Sequence, residues 1–191
     1  MTVRMVALPL LLAVGLAAPV LADQSSAPKA VVEEPQDYRQ DEYRAPVPAT
    51  LSGATVVSTE QAHALWEKGG AAFIDVLPRP PKPDNLPVGT VWKEKPRISV
   101  KGALWLPNTG YGKLADVTLD YFRKGLEKAS GGDKKHPLLF FCLPDCWMSW
   151  NAARRALELG YPKVYWYPQG SEGWAAAGYP TEQLTPEPGG S

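Results

Sequence analysis

Cys142 and Cys146 are the only cysteines of the chain, and they stand four residues apart in the string Cys142-Leu143-Pro144-Asp145-Cys146-Trp147. An apolar run, Leu138-Leu-Phe-Phe141, precedes them and a helical pattern follows. In an open α/β sheet that position is the carboxyl end of a strand, where such folds place their sites. Loop amides and a helix amino terminus converging on one sulfur stabilise a thiolate, and a bound anion or the outer sulfur of a persulfide benefits equally. A bend at Pro144 brings the two α-carbons within the roughly 4.4–6.8 Å that a disulfide spans. Three readings are therefore open on the residues alone: a static disulfide bracing the loop, a working thiol–disulfide or persulfide pair, and a metal or cofactor site. Two thiolates under-fill a zinc site, and His63 and His136 sit on other elements with no evident convergence. No Cys-x-x-Cys-His string offers covalent haem attachment.

The neighbours of the pair are candidates with it. Leu143, Pro144, Asp145, Trp147, Met148 and Ser149 form the loop and supply no cation. Asp145 adds a negative charge that disfavours both a thiolate and an anionic substrate. Trp147 and Trp150 either roof the cysteine and stack on a guest or simply pack. Asp75, at the end of a buried strand, either orients a loop donor, acts as a base, or satisfies backbone amides. Arg154 and Arg155 are expected on the solvated side of their helix, and His63 on the surface.

The elements that must hold these residues begin near Thr50. Ala54–Val57 predicts a short strand. Ser58-Thr-Glu-Gln61 has capping-box form and predicts a helix start; Ala62, Leu65 and Trp66 make its apolar stripe and Gly69-Gly70 its end. Ala72–Val76 predicts a buried strand. Leu77 to Arg97 holds six prolines, which rules out regular structure there, and its length makes it more than an idle connector. Val100–Pro107 reads as a strand entered through a glycine turn. Asp116 is a candidate cap for a helix with Leu119, Phe122 and Leu126 inward and Gly131-Gly132 at its end. Pro137–Phe141 predicts a fully buried strand. A helix over Trp150–Leu159 turns Ala152, Ala153, Ala156 and Leu157 to the sheet, and Gly160 ends it. Val164–Tyr167 is the last strand, followed by a short helix. Strands separated by helices imply crossovers: an α/β domain with a mainly parallel central sheet and helices on both faces.

Arg4 is the only charge in the first 22 residues. With the apolar run from Val6 and the small residues before Asp23, it predicts a signal peptide over residues 1–22. That run is short for a membrane span, which needs about 20 residues, so no span is expected once the segment is cleaved, and export to the periplasm is expected. Residues 23–50 are polar and proline-containing and read as an extended lead-in. Its first half is expected as flexible linker, with Tyr38-Arg39, Tyr43-Arg44 and Ala45-Pro46 as candidates to dock. The domain is expected over 51–184 and a loose tail over 185–191. The whole chain carries 20 basic side chains, Arg4 included, against 20 acidic ones. Such balance gives no electrostatic case for nucleic acid or an anionic membrane as partner.

Several strings in order carry a resemblance: Phe73-Ile-Asp-Val76, Val100–Pro107, Leu139-Phe-Phe-Cys142, Ala152-Ala153 with Gly160-Tyr161 and Val164, and Gly170 with Trp174 and Gly178-Tyr-Pro180. Over about residues 52–184 the chain resembles a rhodanese domain. Tyr43-Arg-Ala-Pro-Val-Pro48, Asp75-Val-Leu-Pro78 and Asp145–Ala153 resemble a narrower group, the exported CxxxCW-motif family associated with pyrroloquinoline-quinone (PQQ)-dependent alcohol catabolism. The resemblance implies that Cys142 stands at the persulfide-forming position, with Cys146 able to resolve it. It also implies a small sulfur-containing donor or thiol acceptor as partner, a periplasmic quinoprotein dehydrogenase or associated transport component beyond that, and no required cofactor, with redox-cofactor binding left open. Two departures stand out. Sulfurtransferase loops usually carry an arginine or other polar donor about five residues after the cysteine, whereas this loop contains no cation, and Met148 replaces the arginine that phosphatase relatives of this fold need to clamp phosphoryl oxygens.

Overall fold

The computed structural model describes residues 1–2 and 31–189. The chain divides into two units, Met1–Ala30 and Val31–Ser191. Apart from Met1 and Thr2, the expected export segment and the first part of the lead-in lie outside the described residues. In the second unit the order is β1 (Thr55–Val56), α1 (Thr59–Glu67), β2 (Ala72–Asp75), β3 (Arg97–Val100), β4 (Leu104–Trp105), α2 (Asp116–Ser130), β5 (Leu138–Phe141), α3 (Trp147–Glu158), β6 (Val164–Tyr167), α4 (Gly170–Ala176) and β7 (Thr181–Leu184).

Five strands form one sheet in the order β1-β6-β5-β2-β4, and every neighbouring pair is parallel. This is the mainly parallel α/β sheet expected from the alternation of strands and helices. The strand period of two divides its side chains between two cores. Ile74, Val76, Leu138, Phe140, Val164 and Trp166 pack on one face with Phe122 and Leu126 of α2 and Ala152, Ala153 and Ala156 of α3. Phe73, Leu139, Phe141 and Tyr167 pack on the other with Ala62 of α1 and Trp174 of α4. Each fully buried large side chain contributes about 1.5–3 kcal/mol relative to exposure. The central strand β5 is buried along its whole length, so Cys142 leaves the sheet from its middle.

Local signals account for the helix ends. Both bonds of the capping box at Ser58 and Gln61 are present. Helix α2 ends at Gly131 in the left-handed region, whose amide returns to the last turn. Its cap is Ala115 rather than Asp116; Asp116 is the first helical residue, where its charge still suits the helix amino terminus.

Three expectations are corrected, and the docking considered for the second half of the lead-in is observed. Val100–Pro107 is not one strand. The chain turns at Lys101-Gly102, so β3 pairs antiparallel with β7 in a separate ribbon while β4 joins the main sheet. Helix α3 starts at Trp147, three residues before Trp150. The tail is not loose at its start: the Glu187 amide donates to Trp105 O, and Tyr121 Oη to Glu187 O. The second half of the lead-in has no regular structure, yet it is strapped down. Arg39 and Asn151 exchange two hydrogen bonds, Tyr38 bonds Glu158, and Tyr43 O accepts from the Trp147 amide. Among the described residues no helix is long and apolar enough to cross a membrane.

Candidate active site

Cys142 follows β5 directly, and Cys146 is the N-cap of α3. The two are joined in a disulfide with their α-carbons 6.3 Å apart. The link closes a turn at Pro144-Asp145, where Asp145 adopts φ 49°. A non-glycine residue in that region is held there by its surroundings, and here the cross-link and the start of α3 fix both ends of the turn. Leu143 and Pro144 are half-buried and Asp145 is exposed. Both cysteines are buried: Cys142 has no exposed surface and Cys146 retains 2%.

The backbone of Cys142 is clamped from α4. Its carbonyl accepts from the Ser171 amide at 2.9 Å and from Ser171 Oγ at 3.3 Å. This approach needs Gly170, which has φ 58°; a Cβ there would lie 2.5 Å from Cys142 O. Behind Ser171 stands a buried ion pair. Arg97 Nη2 donates to Ser171 Oγ at 2.9 Å, and the guanidinium meets Asp75 Oδ2 at 2.6 and 2.8 Å. Asp75 also accepts from Ser99 Oγ at 2.5 Å and from the Leu77 amide at 2.9 Å. Complete burial pushes the Asp75 carboxyl above its ordinary value, and Arg97, Ser99 and the Leu77 amide oppose that rise. Asp75 thus does more than satisfy an amide. It anchors a cation that reaches, through Ser171, the backbone of the cysteine.

The other end of the pair is fixed by the first turn of α3. Trp147, Met148 and Ser149, expected in the loop, are helical and buried. Ser149 Oγ donates to Cys146 O at 3.1 Å and accepts from Trp166 Nε1 at 3.0 Å, which pins the turn to β6. Met148 packs so closely on Gly110 that a Cβ there would come within 2.4 Å of its own. Trp150 Nε1 donates to Thr50 O, whereas Trp147 Nε1 is buried and has no hydrogen-bond partner. The Arg39 guanidinium lies 5.4 Å from the Trp147 ring centroid.

Arg155, expected on the solvated side, is buried, with its guanidinium on the carbonyls of Thr109, Tyr111 and Gly112 at 2.8–2.9 Å. Arg154 is half-buried and bonds Pro35 O at 3.1 Å, Gln36 O and Glu158. The alanine stripe marked the sheet side of α3 correctly but gave no sign that the strap and the 108–112 loop cover the opposite side. His63 is not a free surface residue either. It stacks on Tyr179 with centroids 3.7 Å apart and neighbours Trp66 and Trp174. Among the described residues no group of three or more His, Cys, Asp or Glu side chains is placed to hold a metal. The residues that sequence reasoning missed are Arg97 and Ser171. Arg97 hides at the end of the proline-rich stretch, and Ser171 in a glycine-rich string with no pattern of its own.

A closed disulfide is an electrophile at sulfur, and opened it yields a thiolate nucleophile beside a resolving thiol. The family model described as Rhodanese-like domain matches residues 58–177. No curated protein matches the chain. Among solved structures the chain is similar to the BH2092 protein of Bacillus halodurans, with 16% identity, a TM-score of 0.45, and 68% of this chain and 77% of that one covered. It is also similar to the rhodanese-like domain of the Alr3790 protein from Anabaena sp., with 16% identity, a TM-score of 0.43, and 67% and 78% covered. A third is the polysulfide-sulfur transferase homodimer from Wolinella succinogenes, with 17% identity, a TM-score of 0.42, and 70% and 82% covered. With the family model running from the cap of α1 to the end of α4, well over half of the sequence, this protein belongs to the rhodanese-like domain family.

Proposed function

We propose that this protein is an exported rhodanese-like accessory protein of PQQ-dependent alcohol catabolism whose cysteine pair carries persulfide or thiol–disulfide chemistry. The observation that carries the chemical part is the disulfide itself. It closes on Cys142, the residue at the carboxyl end of the central strand, and its partner is the N-cap of the following helix. Reduction would free a thiolate at Cys142 that attacks a sulfane donor and then passes the outer sulfur to a nucleophile. Cys146 would resolve the persulfide by attacking its inner sulfur, which releases hydrosulfide and restores the disulfide. The scheme needs no resident cofactor; binding of a redox cofactor is compatible with it.

The accessory role, a periplasmic location, and a quinoprotein dehydrogenase or transport component as partner are supported by the Tyr43–Pro48 and Asp145–Ala153 strings and by the leader-like first 22 residues. Burial of both sulfurs favours a second reading, in which the disulfide is a brace and the domain a silent binding module. Intact mass separates the two. Protein purified from the periplasm is reduced with a dithiol, cleared of it, and incubated with thiosulfate. A species one sulfur heavier at Cys142 supports the chemical reading. A pair that resists glutathione and never gains sulfur supports the brace.

A further inference from the structure

We propose that the closed disulfide, rather than a free thiolate, is the sulfur-accepting form of this site, and that its substrate is hydrogen sulfide. The proposal rests on the reading of Cys142 as the sulfur-carrying residue. A thiolate takes sulfur from an oxidised, sulfane donor, whereas a disulfide takes it only from a reduced nucleophile. Both sulfurs are engaged here, so the reactant matched to this state is sulfide.

Burial and charge restrict which nucleophile can enter. Cys142 is wholly buried and Cys146 nearly so; the turn that joins them holds half-buried Leu143 and Pro144 and exposed Asp145. The turn carries no cation, its one charge is the Asp145 carboxylate, and Arg97 is committed to Asp75 and Ser171. An anion therefore meets repulsion without a clamp, while uncharged hydrogen sulfide meets no such barrier and ionises on attack.

The surroundings also choose which sulfur is attacked. The carbonyl of Cys142 is held twice by Ser171, so that residue stays in place. Cys146 is the N-cap of the twelve-residue helix α3, and its side chain accepts no capping bond while it is cross-linked. A thiolate released there lies at the positive end of the helix, which favours it as the leaving group. The balance is then complete. A lone pair of hydrogen sulfide forms a bond to Cys142 Sγ, the Cys142–Cys146 bond breaks, and its electron pair leaves on Cys146. The sulfide proton passes to solvent or to the Cys146 thiolate. The disulfide is the two-electron oxidant, and the product is a persulfide on Cys142 beside a thiol on Cys146. Transfer of the outer sulfur to a thiol acceptor leaves a dithiol, which a second, more oxidising disulfide recloses by exchange.

The test uses the air-oxidised full mature chain, incubated anaerobically with sodium sulfide, alkylated, and read by intact and peptide mass. The expected product is one hydrogen sulfide heavier, with the persulfide on Cys142 and the alkylated thiol on Cys146. Cys142→Ser and Cys146→Ser each lose this uptake completely, and oxidised protein with thiosulfate gains nothing. A parallel arm gives the dithiol form thiosulfate or polysulfide. Sulfur on Cys142 in that arm only overturns the inference and leaves the proposed function standing. Sulfur on Cys146 in the sulfide arm overturns the inference. No sulfur on Cys142 in either arm overturns both.

Discussion

Arg97 is the residue on which the support of the site turns. Its guanidinium neutralises a carboxylate with no exposed surface and reaches Cys142 through a single hydroxyl. Arg97→Met leaves Asp75 buried without its cation, and breaking such a pair from one side costs about 3–5 kcal/mol. The double variant Asp75→Asn/Arg97→Met removes both charges and is expected to regain most of that loss. Urea unfolding of the two proteins checks it; equal stability of the single and double variants would show that Asp75 does not depend on Arg97. The cysteine pair was legible from composition and spacing because nothing else in the chain carries sulfur chemistry. Arg97 was not, since its partner Asp75 lies 22 residues away across a proline-rich excursion, and no local pattern links them.

Strands β2, β5 and β6 were legible because continuous apolar runs have few other uses in a domain of this size. The ribbon of β3 and β7 was not. Arg97-Ile-Ser-Val100 and Thr181-Glu-Gln-Leu184 are short, half or more polar, and far apart in the sequence, so no local pattern announces their pairing. The start of α3 was missed for a related reason. Cys146 offers no capping bond, and the first amide is satisfied by Tyr43 O, more than a hundred residues earlier. The entry to α4 is a further element-level constraint that can be tested. Gly170→Ala combines a disfavoured φ with a Cβ 2.5 Å from Cys142 O, whereas Gly178, at φ 74°, has no atom within 4 Å of an added Cβ. Gly178→Ala should cost about 1–2 kcal/mol from backbone conformation alone. Gly170→Ala should cost visibly more and also speed reduction of the disulfide by a dithiol, because the clamp on Cys142 is displaced. Equal losses would mean that the α4 entry yields without disturbing the cysteine.

For the molecule as a whole, the strap over residues 34–50 joins the front of the sequence to α3. Tyr38 lies in that contact, bonded to Glu158, with the Arg155 guanidinium 4.3 Å from its ring centroid. Burial, then the bond to Glu158, push its pKa up to about 12, against about 10 for a free tyrosine. The folded state therefore keeps the proton longer than the unfolded one. The stability this provides is whole below about pH 10 and is lost as pH rises toward about 12. An ultraviolet titration should show late-ionising tyrosines, Tyr38 together with Tyr121, which is also raised to about 12; Tyr38→Phe should remove one. Normal titration of all tyrosines would mean that the strap is not seated in solution. The cross-link has the opposite, local character, and its size has a thermodynamic consequence. A ring closed over a separation of four residues restrains the unfolded chain by only about 2 kcal/mol, against about 4.7 kcal/mol for a hundred-residue ring. Opening the pair therefore costs the fold much less than opening a long-range cross-link would, so the reduced polypeptide is expected to stay in its native basin.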